Sequence, residues 1–200
     1  MPVPIVYRKS AEGAIATYSY LDIAEGTGIA KFYLAQSVAT ATLSQILTGD
    51  STMNTTEEAG GSTLGRIYTL SPAGTINFDL SPFNTPKRIK GTGYFDFEAV
   101  AESGTRLLKI QIKKVSGGVE TDVSSEVIVS IGTASDRFLA KLPITTQINF
   151  AKGDILRLSL TSSDDFNIKF GTDPQGNSAG APVAVNDTKS TLSVPFALDL

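Results

Sequence analysis

Residues 138–160 read FLAKLPITTQINFAKGDILRLSL. Large apolar side chains occupy alternate positions on both sides of Lys152-Gly153-Asp154, so each half buries one face and exposes the other when it is extended. A short polar sequence with a glycine between two such runs is typical of a β-hairpin turn. The stretch therefore predicts two antiparallel strands, joined at 152–154 and packed on a second sheet.

The same period-two pattern recurs outward from this hairpin, and Gly117-Gly118 joins two of the runs as a second turn. The other alternating runs are 76–80, 94–99, 106–114, 127–131, 166–170 and 192–198. Strands at this spacing predict an all-β chain that folds as an antiparallel β-sandwich. A jelly roll is the first choice for its topology, and an immunoglobulin-like sandwich is the alternative. We expect one domain over residues 1–200.

Two segments depart from the alternation, and we expect both to be long loop regions. Residues 35–70 are rich in Ala, Ser and Thr, and residues 171–190 are polar and rich in Gly. Within the first, 38–47 has the spacing of a short helix, although its Thr and Val content suits an irregular strand equally well. The fold thus contains at most one short helix. Long loops in compact domains are often functional, so both segments are candidate contact regions.

The chain contains no histidine, cysteine or tryptophan. A Ser-His-Asp triad, a Cys-His pair and a zinc site with His or Cys ligands are therefore excluded for this chain alone. We expect no enzymatic activity and no cofactor. A formal net charge of −3 with scattered basic residues disfavours nucleic-acid binding. No signal-like N-terminus and no long apolar run is present, which predicts a soluble protein made in a cytoplasm, with no membrane partner.

Carboxylates are the main remaining candidates for chemistry. Asp164, Asp165 and Asp173 lie close in sequence and are candidate oxygen ligands for calcium. A solvated turn is the favoured explanation for them, since no EF-hand spacing is present. A glycosidase-like pair built on Asp96 or Glu98 would need a partner from a distant strand. The alternation instead predicts that these two residues lie on the outward face of their strand.

Tyrosines are the candidates for binding without chemistry. Four of them could stack on sugar rings: Tyr18, Tyr20, Tyr33 and Tyr94. The lack of tryptophan argues against this interpretation, and strand tyrosines more often belong to the core or the sheet surface.

Two resemblances to known families follow from these patterns. The hairpin over residues 148–158 resembles one in the trimeric jelly rolls of the tumour-necrosis-factor type. Residues 18–28 with Phe32-Tyr33, taken together with residues 194–200, are similar to β-rich virion structural proteins of tailed bacterial or archaeal viruses.

The second resemblance implies a non-enzymatic capsid decoration, vertex or tail-associated component that is located in the virion. Its partners would be other virion proteins and copies of itself, in a homo-oligomer such as a trimer. The alternative is a receptor- or carbohydrate-binding β-sandwich module.

Overall fold

The computed structural model describes residues 29–36, 51–55, 67–162, 167–171 and 190–197. Regular structure in these residues is entirely β, with no helix, which confirms the predicted all-β class. The strands are β1 (Ile29–Gln36), β2 (Ser51–Asn54), β3 (Ile67–Leu70), β4 (Thr75–Leu80), β5 (Lys87–Ala101), β6 (Arg106–Ser116), β7 (Val119–Asp122), β8 (Val127–Ile131), β9 (Asp136–Phe150), β10 (Ile155–Ser162), β11 (Ile168–Gly171) and β12 (Thr191–Ala197).

Neighbouring strands in the sheet are hydrogen-bonded in the order β3-β11-β5-β12-β1-β2-β4-β10-β6-β7. In addition, β8 pairs with β6 and β9 pairs with β5. The pairs are antiparallel except for β2 and β4, which run parallel. The path folds over so that β5 and β6 face each other across the core. A Cβ atom on Gly93 of β5 would lie only 3.0 Å from Cδ1 of Ile112 on β6. The result is the jelly-roll-like β-sandwich that the sequence predicts.

The space between the two layers is filled by the inward side chains of the alternating strands. Five phenylalanines are fully buried there: Phe78, Phe95, Phe97, Phe150 and Phe170. Two of these rings, Phe78 and Phe170, meet edge to face with their centroids 6.1 Å apart. Each fully buried side chain of this size contributes about 1.5–3 kcal/mol through its removal from water. This core fixes which face of every strand points outward.

The turn at Lys152-Gly153-Asp154 joins β9 to β10, as predicted. The Ala151 amide donates a hydrogen bond of 2.7 Å to Oδ2 of Asp154, and Gly153 has a φ of +92°. The Lys114 ammonium lies 2.7 Å from the same carboxylate oxygen. Its hydrogen bond, followed by those from Ser116 and the Ala151 amide, lowers the pKa of Asp154 to about 2. The second predicted turn, Gly117-Gly118, joins β6 to β7.

Residues 35–70 are not one long loop, because β2 and β3 lie inside this range and β1 extends to Gln36. Met53 of β2 is buried and pairs with Leu34 of β1 and Leu80 of β4. A single large apolar residue on a four-residue strand gives too little alternation to be recognised in the sequence. The segments 38–47 and 172–189 lie outside the described residues.

One position on β9 that the alternation over residues 138–160 predicts to be inward is exposed. Thr146 is exposed, although it shares the phase of Ile144 and Ile148. Ile148 pairs with Ile89 of β5 and Ile144 pairs with Gly91. Four residue steps along β9 therefore lie opposite only two along β5. The additional residues form a bulge that has no partner on β5, which turns Thr146 away from the core. The ends of two other predicted runs, Phe166 and Leu198, lie outside the described residues.

Candidate ligand-binding face

The outer surface of β9, β5, β12, β1 and β2 carries two rows of side chains in register. We call this surface, the outward positions of these five strands, the tyrosine face. The first row crosses the strands in the order Leu139, Asp96, Thr191, Tyr33 and Asn54. The second row crosses four of them in the order Lys141, Tyr94, Ser193 and Lys31.

The core determines why these side chains point outward. Phe95 of β5, Leu192 of β12 and Phe32 of β1 are buried and opposite one another, so their neighbours along each strand face the other way. Tyr33 and Tyr94 are both half-buried on this outer surface. They lie on strands separated by β12, one row apart, which places their Cα atoms about 12 Å from each other at ordinary strand spacing.

Tyr33 has a cation next to its ring. The Lys31 Nζ atom lies 5.3 Å from the ring centroid, within the range of a cation–π interaction. Lys31 and Tyr33 are two residues apart on β1 and therefore share its outward face. The lysine stem and the ring thus form one amphipathic surface with a positive charge at its edge.

Asp96 lies next to Tyr94 along the outward face of β5 and is engaged by an arginine. Arg137 of β9 donates to it through Nε, 2.8 Å from Oδ1, and through Nη2, 2.5 Å from Oδ2. This hydrogen bonding raises the pKa of Arg137 above its ordinary value. Glu98, the next outward residue of β5, is only 6% exposed and accepts a 2.6 Å hydrogen bond from Oγ of Ser135.

The prediction for Asp96 and Glu98 is therefore correct only in part. Both occupy outward positions of β5, but the Glu98 carboxylate is not in solvent. A glutamate this deeply buried is normally hydrogen-bonded or paired, and the Ser135 hydroxyl provides one such bond. Sequence alternation identifies the side of a strand, but it does not report how neighbouring segments cover that side.

The outer face of the other layer has a different character. Arg157 of β10 donates to both oxygens of Asp79 on β4, at 2.7 and 2.6 Å, and also to Glu120 of β7. Lys113 of β6 lies 2.9 Å from the same Glu120. Hydrogen bonding, first with Asp79, raises the pKa of Arg157, while the bond from Lys113 lowers the pKa of Glu120. Opposite charges on this face are matched with one another across four strands.

The predicted metal ligands cannot be placed on either face. Asp164, Asp165 and Asp173 lie outside the described residues, as do Tyr18 and Tyr20. Across the described part of the chain, no group of three or more acidic side chains is arranged to hold a metal ion. A search of the same residues for a helix long and apolar enough to cross a bilayer found none.

Of the four candidate tyrosines, the structure brings Tyr33 and Tyr94 onto one surface. Sequence reasoning missed their neighbours Lys31, Lys141 and Ser193. The only available signal was that each is a polar residue between buried apolar ones, and this signal is shared by the other polar outward positions of the strands.

No family model matches the chain, and no curated protein matches it. Several solved structures do. A CocE/NonD family hydrolase from Staphylococcus aureus aligns with a TM-score of 0.56 and 10% identity over 84% of this chain and 36% of that one. An α-amino acid ester hydrolase aligns with a TM-score of 0.51 and 14% identity over 84% of this chain and 34% of the enzyme.

A CBM22-1 xylan-binding domain from Paenibacillus barcinonensis aligns with a TM-score of 0.40 and 11% identity over 86% of this chain and 98% of that domain. The chain spans only about a third of the length of the two hydrolases. At these identities the two hydrolase alignments, with TM-scores above 0.5, show a shared fold and nothing about activity.

Proposed function

We propose that this chain is a carbohydrate-binding β-sandwich module and that the tyrosine face is its binding surface. The observation that supports this most directly is the position of Tyr33 and Tyr94, half-buried and outward on one sheet, with the half-buried Ser193 between them on β12. A pyranose ring has apolar C–H faces and hydroxyls around its edge. Aromatic rings beside short polar side chains match both properties.

The sheet provides a prearranged platform for such a ligand. Each outward side chain is held by a strand whose other face is packed in the core, so little backbone ordering is needed on binding. Tyrosine also has few rotatable bonds to immobilise. Binding would therefore proceed by surface complementarity alone, in agreement with the absence of histidine and cysteine from the chain.

The proposal is tested by measuring affinity for oligosaccharides that a glycan array selects. Truncating an aromatic anchor in a binding surface costs about 1.4 kcal/mol or more, which is tenfold in affinity. We expect Tyr94→Ala and Tyr33→Ala each to weaken binding about tenfold in isothermal titration, while each variant keeps the circular dichroism spectrum of the folded chain. Tyr94→Phe, which keeps the ring, should retain most of the affinity.

The matched control is Ile128→Ala, at an exposed apolar residue on β8 in the opposite layer. This variant should bind as the wild type does. Retention of full affinity by a Tyr33→Ala/Tyr94→Ala double variant would show that the tyrosine face is not the site. The virion location implied by the sequence resemblance stays a prediction, and it is compatible with a glycan receptor module carried on a particle.

A further inference from the structure

The second row of the tyrosine face ends in a lysine on each side. Lys141 on β9 and Lys31 on β1 are both exposed, and Tyr94 and Ser193 lie between them in register. Three steps between neighbouring strands separate the two lysine Cα atoms, a distance of about 14 Å at ordinary spacing. A short oligosaccharide lying across the strands would thus meet an aromatic ring and a hydroxyl in the middle and a cation at both ends.

The charges around this row are not balanced. Basic side chains at outward positions of β1, β5 and β9 are Lys31, Arg88, Lys90, Arg137 and Lys141, whereas the acidic ones are Asp96 and Glu98. Asp96 is held by both donors of Arg137, and Glu98 is buried beneath the surface. A ligand would therefore meet positive potential on a chain whose formal net charge is −3.

The opposite layer shows that this asymmetry is local. There Arg157 and Lys113 are ion-paired with Asp79 and Glu120. Neither Lys31 nor Lys141 forms an ion pair of this kind with another residue that the structure describes. Exposed lysines beside an aromatic ring are suited to binding carboxylate or sulfate groups as point charges.

We propose that the ligand of the tyrosine face is an acidic polysaccharide whose anionic groups are bound by Lys31 and Lys141 while a sugar ring lies on Tyr94. This inference rests on the proposed carbohydrate-binding function and specifies its ligand class. A nucleic acid fits the surface less well. It would need a continuous basic track for its phosphates, whereas Leu139 and the paired Asp96 occupy the adjoining row.

The test uses two acidic probes, each with its neutral counterpart. Polygalacturonate is compared with its methyl-esterified form, and dextran sulfate is compared with dextran, by isothermal titration at low and high salt. We expect at least one acidic probe to bind more tightly than its counterpart, with an affinity that falls as ionic strength rises. The preferred pair identifies the anionic group as carboxylate or sulfate.

Lys31→Gln and Lys141→Gln each remove a positive charge while keeping a methylene chain with a polar end group. Each should weaken binding of the acidic probe about threefold to tenfold and leave binding of the neutral one unchanged. Lys109→Gln, on the outer face of β6, is the matched control and should have no effect. Thermal unfolding of every variant checks that the fold is retained, as expected for exposed positions.

The possible outcomes separate this inference from the function on which it rests. If neutral probes bind in a Tyr94-dependent way and neither lysine substitution changes the affinity, the proposal of an acidic ligand would be wrong and the carbohydrate-binding function would stand. Absence of binding to all four probes and to every glycan on the array would overturn both. Binding of single-stranded poly-dT as tightly as the best acidic probe, with the same dependence on Lys31 and Lys141, would replace the polysaccharide with a nucleic acid.

Discussion

Replacing Phe97 with alanine is the sharpest test of the sandwich core. The Phe97 ring is fully buried on β5 and stacks on two others, Phe95 at 4.5 Å and Phe138 at 5.4 Å between centroids. Truncation of a buried phenylalanine costs about 3–5 kcal/mol, because the removed atoms lose their burial and leave a cavity. Because Phe97→Ala also removes two ring–ring contacts, we expect its cost in unfolding free energy near the upper end of this range, at about 4–5 kcal/mol. For a chain of this size, each kcal/mol lowers the melting temperature by about 2–4 °C.

Phe97→Leu separates cavity formation from the loss of ring stacking. It preserves most of the apolar volume and should cost about 1–1.5 kcal/mol. Leu139→Ala, on the neighbouring strand but 59% exposed, is the control and should change the free energy of unfolding by less than about 0.5 kcal/mol. Urea denaturation followed by circular dichroism measures all three. If Phe97→Ala cost no more than Leu139→Ala, the packing of β5 in the core would be refuted.

Two further predictions concern the turn between β9 and β10. The folded-state pKa of Asp154, about 2, lies below its ordinary value of 3.8, so the ionised carboxylate stabilises the fold above pH 4. That contribution should be lost as the pH falls from about 4 to 2, whereas Asp154→Asn should lack it at all pH values. The melting temperature of the wild type should therefore fall more than that of Asp154→Asn over this interval. An equal or smaller fall would contradict the stabilising role of the Asp154 carboxylate. Gly153→Ala should lower the free energy of unfolding, measured by urea denaturation, by about 1–2 kcal/mol. The cause is the φ of +92°, which disfavours a side chain, and not a clash, since no atom lies within 4 Å of the new Cβ. Unchanged stability would show that the turn adopts another conformation.

Much of the fold follows from the sequence because burial on one side imposes a period of two. The hairpin of β9 and β10 is an example: Phe150, Leu156 and Leu158 are buried and Gly153 occupies the turn as predicted. The pattern fails where a strand is short, as for β2 around Met53, or where a bulge shifts the pairing, as at Thr146. Local periodicity contains no information about either feature.

The candidate site depends on pairings that local sequence does not encode. Tyr94 and Tyr33 share a surface because β12, from the far end of the chain, lies between β5 and β1. Ser193 pairs with Tyr94 on one side and with Lys31 on the other. Each residue is an ordinary outward position in its own strand, and only the strand order brings them together. The sequence could thus nominate the two tyrosines but not the surface around them.

The most direct test of the central claim is an NMR titration of the uniformly labelled chain with the tightest-binding oligosaccharide from the glycan array. We expect the largest amide shifts on β5, β12 and β1, at Tyr94, Ser193, Lys31 and Tyr33. Residues Asp79 and Arg157 on the opposite layer should be unaffected. Shifts centred on β4, β10 and β6, with Tyr33 and Tyr94 unchanged, would contradict the assignment of the tyrosine face as the binding surface.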